Sequence, residues 1–178
     1  MDAKELLEAV IRERGASQAG LDSGAKVLAQ AISEALAVKP EEVAILVLTS
    51  TEQSLKFVWP RALSQGSGVF PANHRNAVAS GVLAAMKGRV DNRLAESKHL
   101  KFYESIKWME CSGLPIQKMV ALPMVAGERA IGVVEVSRKG RTPEEAGPNF
   151  TSQDAQLLVS LCATCAPLLA QLIPKPFF

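Results

Sequence analysis

Cysteine is scarce, with Cys111, Cys162 and Cys165 the three in 178 residues. So sparse and odd a set is not the disulfide framework of a small secreted domain. Aromatic residues are also few, at 5%, with a single tyrosine. The opening Met-Asp-Ala-Lys-Glu has no basic region followed by an apolar one, so no secretory leader is expected there. Long hydrophobic runs are missing too. Leu157 to Ile173 covers 17 residues but contains Ser160, Thr164, Pro167 and Gln171. A membrane span needs about 20 mostly apolar residues, so a helix of a soluble protein is the expectation. A net charge of +2 announces no nucleic-acid surface. These absences point to a cytoplasmic protein without membrane or nucleic-acid partners. What is present, 48% apolar and 21% charged residues, is ordinary for a globular chain of one domain plus an extra element.

Hydrophobic periodicity predicts a helix over 2–14, with Leu6, Leu7, Val10 and Ile11 on one face. Gly15, Gly20 and Gly24 read as a loose connection. A second helix is expected over 23–38, carrying Leu28, Ile32, Ala35 and Leu36, and Lys39-Pro40 ends it because a residue before proline resists the α conformation. The period then changes. Residues 43–49 form an apolar, β-branched run. Leu55, Phe57 and Trp59 alternate with Lys56 and Val58, and a turn at 52–54 makes the two runs an antiparallel hairpin. Residues 74–87 read as a helix with Val78, Val82, Leu83 and Met86 inward and Gly88 as its C′ residue. Residues 89–116 show no clean period beyond a helical turn or two at 102–108. Strands at 118–124 and 130–138 make a second hairpin through 125–129, followed by a surface loop at 139–149.

The last helix has the sharpest local signal. The Thr151 hydroxyl can accept the N–H of residue 154, and the Asp154 carboxylate can bond back and favour the positive helix end, with Phe150 as the staple residue. Leu158, Leu161, Cys165, Leu168 and Leu172 then repeat at spacings of three and four, like a coiled-coil seam. Pro167 removes the N–H that would bond the Ala163 carbonyl, so a kink or break is expected. Hairpins between helices, rather than alternating strands and helices, imply an α+β fold with an antiparallel sheet.

The second half of the chain resembles a GAF domain, a small sensory fold. The residues that carry the resemblance are Leu114-Pro-Ile-Gln-Lys-Met-Val-Ala-Leu-Pro123-Met, Ala130-Ile-Gly132-Val-Val-Glu-Val136, and Phe150-Thr-Ser-Gln-Asp154-Ala-Gln-Leu-Leu158. The resemblance implies a GAF-like domain over 20–173, after an N-terminal helical extension and linker at 1–19 and before a tail at 174–178. It implies a sheet of five to six strands, with the terminal helices on one face and pocket-forming helices and loops on the other. Family ligands include cyclic nucleotides, tetrapyrroles, haem, amino acids, nitrate and small aromatics, so the fold does not name the ligand, and no cofactor is indicated. Some cyclic-nucleotide-binding members carry Asn-Lys with Phe-x-x-x-Asp-Glu. The matching positions here are Arg138, Lys139, Phe150, Asp154 and Ala155, which keep Lys, Phe and Asp. A Lys139–Asp154 ion pair tying strand to helix is the architectural expectation.

Charge is uneven. Residues 1–74 hold 7 basic and 9 acidic side chains, 75–118 hold 8 and 4, and 119–178 hold 5 and 5. The basic segment coincides with the one that closes the family's pocket. Arg75, Asn76, Asn92 and Arg93 are the candidates for an anionic ligand; a solvated basic face containing Lys87, Arg89, Lys98 and Lys101 is the alternative. Trp59, Phe70, Tyr103 and Trp108 could wall a ligand cavity or simply fill a core. Glu135 interrupts an apolar strand and by alternation shares a face with Ile131 and Val133. It is therefore either a solvated sheet position or a polar group inside the pocket. Cys162 and Cys165 form a C-x-x-C about three turns into a helix, away from the N-terminus where the dipole would activate a thiol, and read as core residues. Cys111 is a candidate redox thiol or chromophore anchor. No spacing recommends a metal site from Cys111, His74 and His99.

The expectation is a non-enzymatic sensory domain. It would bind a small anionic or aromatic ligand and signal through its terminal helices, as a homodimer or to a separate partner protein. A structural dimerisation module with a vestigial pocket is the second reading. A cysteine-based reductase of methionine sulfoxide is the third, and it lacks the second pocket cysteine that such relatives need.

Overall fold

The computed structural model describes residues 2–65, 68–97 and 113–178. Six strands form one antiparallel sheet: β1 Val43–Leu48, β2 Ser54–Trp59, β3 Val69–Pro71, β4 Arg89–Asp91, β5 Ile116–Ala126 and β6 Arg129–Lys139. Their order is β3-β2-β1-β6-β5-β4. The two hairpins predicted from the sequence, β1–β2 and β5–β6, make its centre, joined through β1 and β6. β3 and β4 are three residues each, too short to show a period, and they take the two edges.

Strand alternation splits the apolar residues into two cores. On one face Val43, Ile45, Val47, Val120, Val134 and Val136 meet the helices α1 Ala3–Arg14, α2 Gln18–Leu36 and α5 Ser152–Leu172. On the other, Ala44, Leu46, Phe57, Met119, Ala121 and Val133 meet short elements, among them α3 Arg61–Ser64 and α4 Val78–Ala85. One face is closed by long helices and the other by short ones and loops.

Helix limits differ from expectation where packing outweighs local propensity. α2 begins at Gln18, capped by the Ser17 hydroxyl, which accepts the Gly20 N–H at 3.0 Å. Gly20 and Gly24 therefore lie inside α2. A Cβ on Gly24 would sit 2.4 Å from the Leu172 side chain, so the glycine permits close approach of α2 to α5. Only Gly15, at φ +56°, stays in the link. α1 packs on α2 and α5 with Leu7 fully buried, so residues 3–14 contribute to the same core as the sheet. α4 is shorter than the predicted 74–87. α5 runs unbroken through Pro167, which, like Ala163, is exposed, so the carbonyl freed by the proline faces water. The capping box at Thr151 and Asp154 forms as expected. α5 is long and apolar enough to cross a membrane by length and composition alone; here Leu158, Leu169 and Leu172 pack into the helix-side core. The tail turns back, with Phe177 buried and its N–H donated to the Ser50 hydroxyl at 2.7 Å.

Candidate functional site

The sheet face away from α1, α2 and α5 carries one buried acid at its centre. Glu135 sits mid-β6, opposite Ala44 on β1 and Ala121 on β5, and is 4% exposed. Along β6 the side chains of Val134 and Val136 enter the helix-side core and Val133 the opposite one, so alternation puts Glu135 with Val133 on the second face. Ile131 departs from this alternation. The β5–β6 register shifts between Met124/Gly132 and Val125/Ala130, leaving Ile131 as a bulged residue that packs toward the helix side.

The surroundings of Glu135 are small and apolar. Its two cross-strand neighbours are alanines, and the first turn of α4 lies over it with the Ala79 N–H directed at the carboxylate. Burial pushes its ionisation up from 4.5 to about 7, and the Ala79 N–H opposes that only in part. None of the ion pairs formed among the described residues includes it. Phe57 and Phe70 stand on the same face with ring centres 6.0 Å apart, and His74 meets Phe70 edge-on at 6.2 Å.

The other candidates divide. Phe70 joins Glu135 on this face, but Trp59 does not. The β1–β2 register slips between Ile45/Trp59 and Leu46/Phe57, so Val58 is bulged and Trp59 turns to the helix side. There its indole N–H donates to the Pro40 carbonyl at 2.9 Å, and it lines a groove of about 320 Å³ with Arg14, Asp22, Lys26 and Arg61. Strict alternation with Leu55 and Phe57 misplaced it. Asn92 is a structural clamp: its amide donates to the Phe150 carbonyl at 2.9 Å and accepts the Phe150 N–H at 2.8 Å, tying β4 to the start of α5. Arg75 and Asn76 are exposed in the turn before α4. Arg93 is exposed and paired with Glu96, which raises its ionisation further. Arg89 pairs with Asp91, and Lys118 donates to the Gly147 carbonyl. The described cations of the basic segment therefore do not converge on Glu135. Tyr103, Trp108 and Cys111 lie outside the described residues, as do His99 and the turn expected at 102–108.

The motif positions near α5 also rearrange. Asp154 turns its carboxylate back on Thr151, accepting the backbone N–H at 2.7 Å and the hydroxyl at 2.9 Å, so the Lys139–Asp154 pair is not made. Arg138 is the cation near the helix start. It stacks 4.6 Å from the Phe150 ring and donates to the carbonyls of Pro148 at 3.1 Å and Leu36 at 3.2 Å. It thereby ties β6 to the negative end of α2 and to the loop before α5. Lys139 is buried at the end of β6, where its backbone N–H donates to Glu42. Cys162 and Cys165 are buried in the helix-side core, and burial pushes the Cys162 thiol up to about 12, which leaves no thiolate for redox work near neutrality.

Sequence reasoning missed Ala44, Ala79 and Ala121 as the frame of Glu135. Their signal was available: each of the two strand alanines interrupts a run of larger apolar residues, Val43-Ala-Ile45 and Val120-Ala-Leu122.

No family model and no curated protein matches this chain. Solved structures do. A segment of a methyl-accepting chemotaxis protein, residues 122 to 287, superposes with a TM-score of 0.66 at 16% identity, covering 93% of this chain and 94% of that one. The GAF domain of an Acinetobacter phosphoenolpyruvate-protein phosphotransferase gives 0.60 at 14% identity over 94% and 92%. The type II free methionine-R-sulfoxide reductase of Thermoplasma acidophilum gives 0.60 at 15% identity over 88% and 98%. The six-stranded antiparallel sheet, closed by long terminal helices on one face and short elements on the other, is a GAF-like fold.

Proposed function

We propose that this chain is a sensory or regulatory domain without catalysis of its own, which binds a small ligand against the Glu135 face of its sheet. The observation that carries this reading is the asymmetry of the two faces. One is sealed by α1, α2 and α5, while the other is covered by short elements and holds a buried, ionisable carboxyl between two cross-strand alanines. A GAF-like fold of this kind is shared by sensory domains and by reductases. The two described cysteines, locked in the helix core, favour the sensory alternative. Signalling would pass from β6 to α2 and α5 through Arg138, which is bonded to one and stacked at the start of the other. A thermal-shift screen of the full chain with amino acids, amines, cyclic nucleotides and oxyanions tests the reading. A ligand at a hundredfold its Kd adds about 2.7 kcal/mol, or roughly 5–10 °C for a domain of this size. A flat response to every class would remove the ligand-binding reading.

A second reading, self-association, rests on the outer face of α5. Leu157 and Val159 are 42% and 46% exposed there, and no charged residue occurs between Asp154 and Lys175. Two copies could meet across that face without like-charge repulsion. The predicted leucine seam itself is used within the chain, since Leu158, Cys165 and Leu172 are buried against α1, α2 and the sheet. Light scattering of wild type and Val159→Glu decides: a dimer that the variant converts to monomer supports this reading, and a wild-type monomer at high concentration ends it.

A further inference from the structure

We propose that Glu135 selects the ligand, and that this face of the sheet takes an ammonium, amidinium or comparable nitrogen-donor headgroup rather than an oxyanion. This rests on the ligand-binding reading above and adds the chemistry of the headgroup.

Glu135 is at the centre of the sheet, so it cannot swing into solvent as an edge carboxylate would. Its neighbours across the strands are Ala44 and Ala121, and the turn above it brings Ala77, Ala79 and Ser80, all buried. These are short side chains on both sides of one long acidic one. A carboxylate has about four acceptor positions. The Ala79 N–H engages one of them, and no cation among the described residues pairs with the group. A buried acid is costly unless it is paired or neutral, and a structure that merely needed to fill this position would do better with valine or leucine. Phe57, two strands away on β2, belongs to the same apolar face and offers the remainder of such a ligand an apolar surface.

The charges that would recognise an anion are elsewhere. Arg75 and Arg93 are exposed, Arg89 is paired with Asp91, and Arg138 is on the helix side with Phe150 and Leu36. Lys139 shares the face of Glu135 but lies four residues further along β6, about 13 Å away between Cα atoms. An oxyanion placed beside the alanines would face a like charge at close range, whereas an ammonium or amidinium would complete the carboxylate's bonding.

The test uses the full chain at pH 8, with benzamidine and n-butylamine as cationic probes and benzamide and benzoate as neutral and anionic matches. Binding is read by two-dimensional NMR at the amides of Ala44, Ala79 and Ala121. Benzamidine or n-butylamine should shift these amides in wild type. In Glu135→Gln the affinity should fall about tenfold or more, and benzamide and benzoate should bind more weakly than benzamidine. Glu135→Ala serves as a second variant with the same expected loss, and the spectra themselves report whether each variant is folded. If benzamide or benzoate binds at these amides as well as benzamidine does, or if Glu135→Gln leaves benzamidine affinity unchanged, the headgroup assignment is overturned while ligand binding on this face stands. If neither these probes nor any class in the broader screen moves those amides, the ligand-binding reading fails and the assignment with it.

Discussion

The buried carboxyl should leave a mark on stability that needs no ligand. Glu135 ionises at about 7 in the folded protein against an ordinary 4.5. Below pH 4.5 it is protonated in both folded and unfolded chains and contributes no pH dependence. Between 4.5 and about 7 the unfolded chain gives up the proton first, so each step upward in pH favours unfolding. Above about 7 both states are ionised and the folded state carries the whole cost. At about 1.4 kcal/mol for each tenfold, the gap amounts to roughly 3 kcal/mol, and the part falling between pH 5 and pH 8 is about 2–3 kcal/mol. Among the described residues, β1, β5 and α4 present no other ionisable group against Glu135 on that face: Ala44 and Leu46 come from β1, Met119 and Ala121 from β5, and Ala79 and Val82 from α4. The nearest on β6 itself is Lys139. Glu135→Gln keeps the shape and removes the titration. Urea unfolding of both proteins at pH 5, 6, 7 and 8 should show the variant gaining on wild type by about 2–3 kcal/mol across that range. Parallel stability curves for the two proteins would refute the placement of an uncompensated acid at this position.

Other consequences can be checked in the same way. Asn92→Ala removes both bonds to the Phe150 backbone, leaves a partly buried N–H and carbonyl unmatched, and should cost about 1–3 kcal/mol in urea unfolding without altering benzamidine affinity. Gly132→Ala should be among the most damaging single changes, about 3 kcal/mol or more, because the new Cβ would lie 1.9 Å from the Leu46 carbonyl oxygen, which belongs to backbone and cannot step aside; unchanged thermal stability would contradict the β1–β6 spacing. In a Cys111→Ser background, native Cys162 and Cys165 should resist a thiol-specific reagent at pH 8 and react after denaturation, since burial raises both thiols. Rapid native labelling would place them outside the core. Thr151→Ala removes the α5 cap and should cost about 1 kcal/mol.

Much of this architecture was legible because its signals are local. The run Val43–Leu48 and the strands around Gly132 are apolar and β-branched, and they form the central strands they predict. The Thr151 cap depends on residues three apart, and it forms. Misreadings came where a long-range contact set the conformation. Gly20 and Gly24 look like a linker in isolation, yet α5 pressing against α2 requires them as helical glycines. Trp59 and Ile131 follow the alternation of their strands on paper, and each is displaced by a single bulged position in the ladder. Asn92, chosen as an anion ligand for its place in a basic segment, is fully engaged by a backbone 58 residues away.

The amino-acid sequence by itself determined the strands, the helix caps, the two-sided apolar pattern and the presence of an acid in an apolar strand. Each depends on neighbours within a few positions, where propensity and periodicity act. Only the tertiary structure decided which side of the sheet Trp59 occupies, that alanines from two other strands flank Glu135, and that the basic segment's described cations have partners elsewhere or stand in solvent. Those outcomes hinge on register, and a shift of one residue in a strand exchanges its faces. The few aromatics thus have a definite arrangement: Phe57 and Phe70 share the acid's face of the sheet, on the strands toward its other edge, and Trp59 stands behind the sheet.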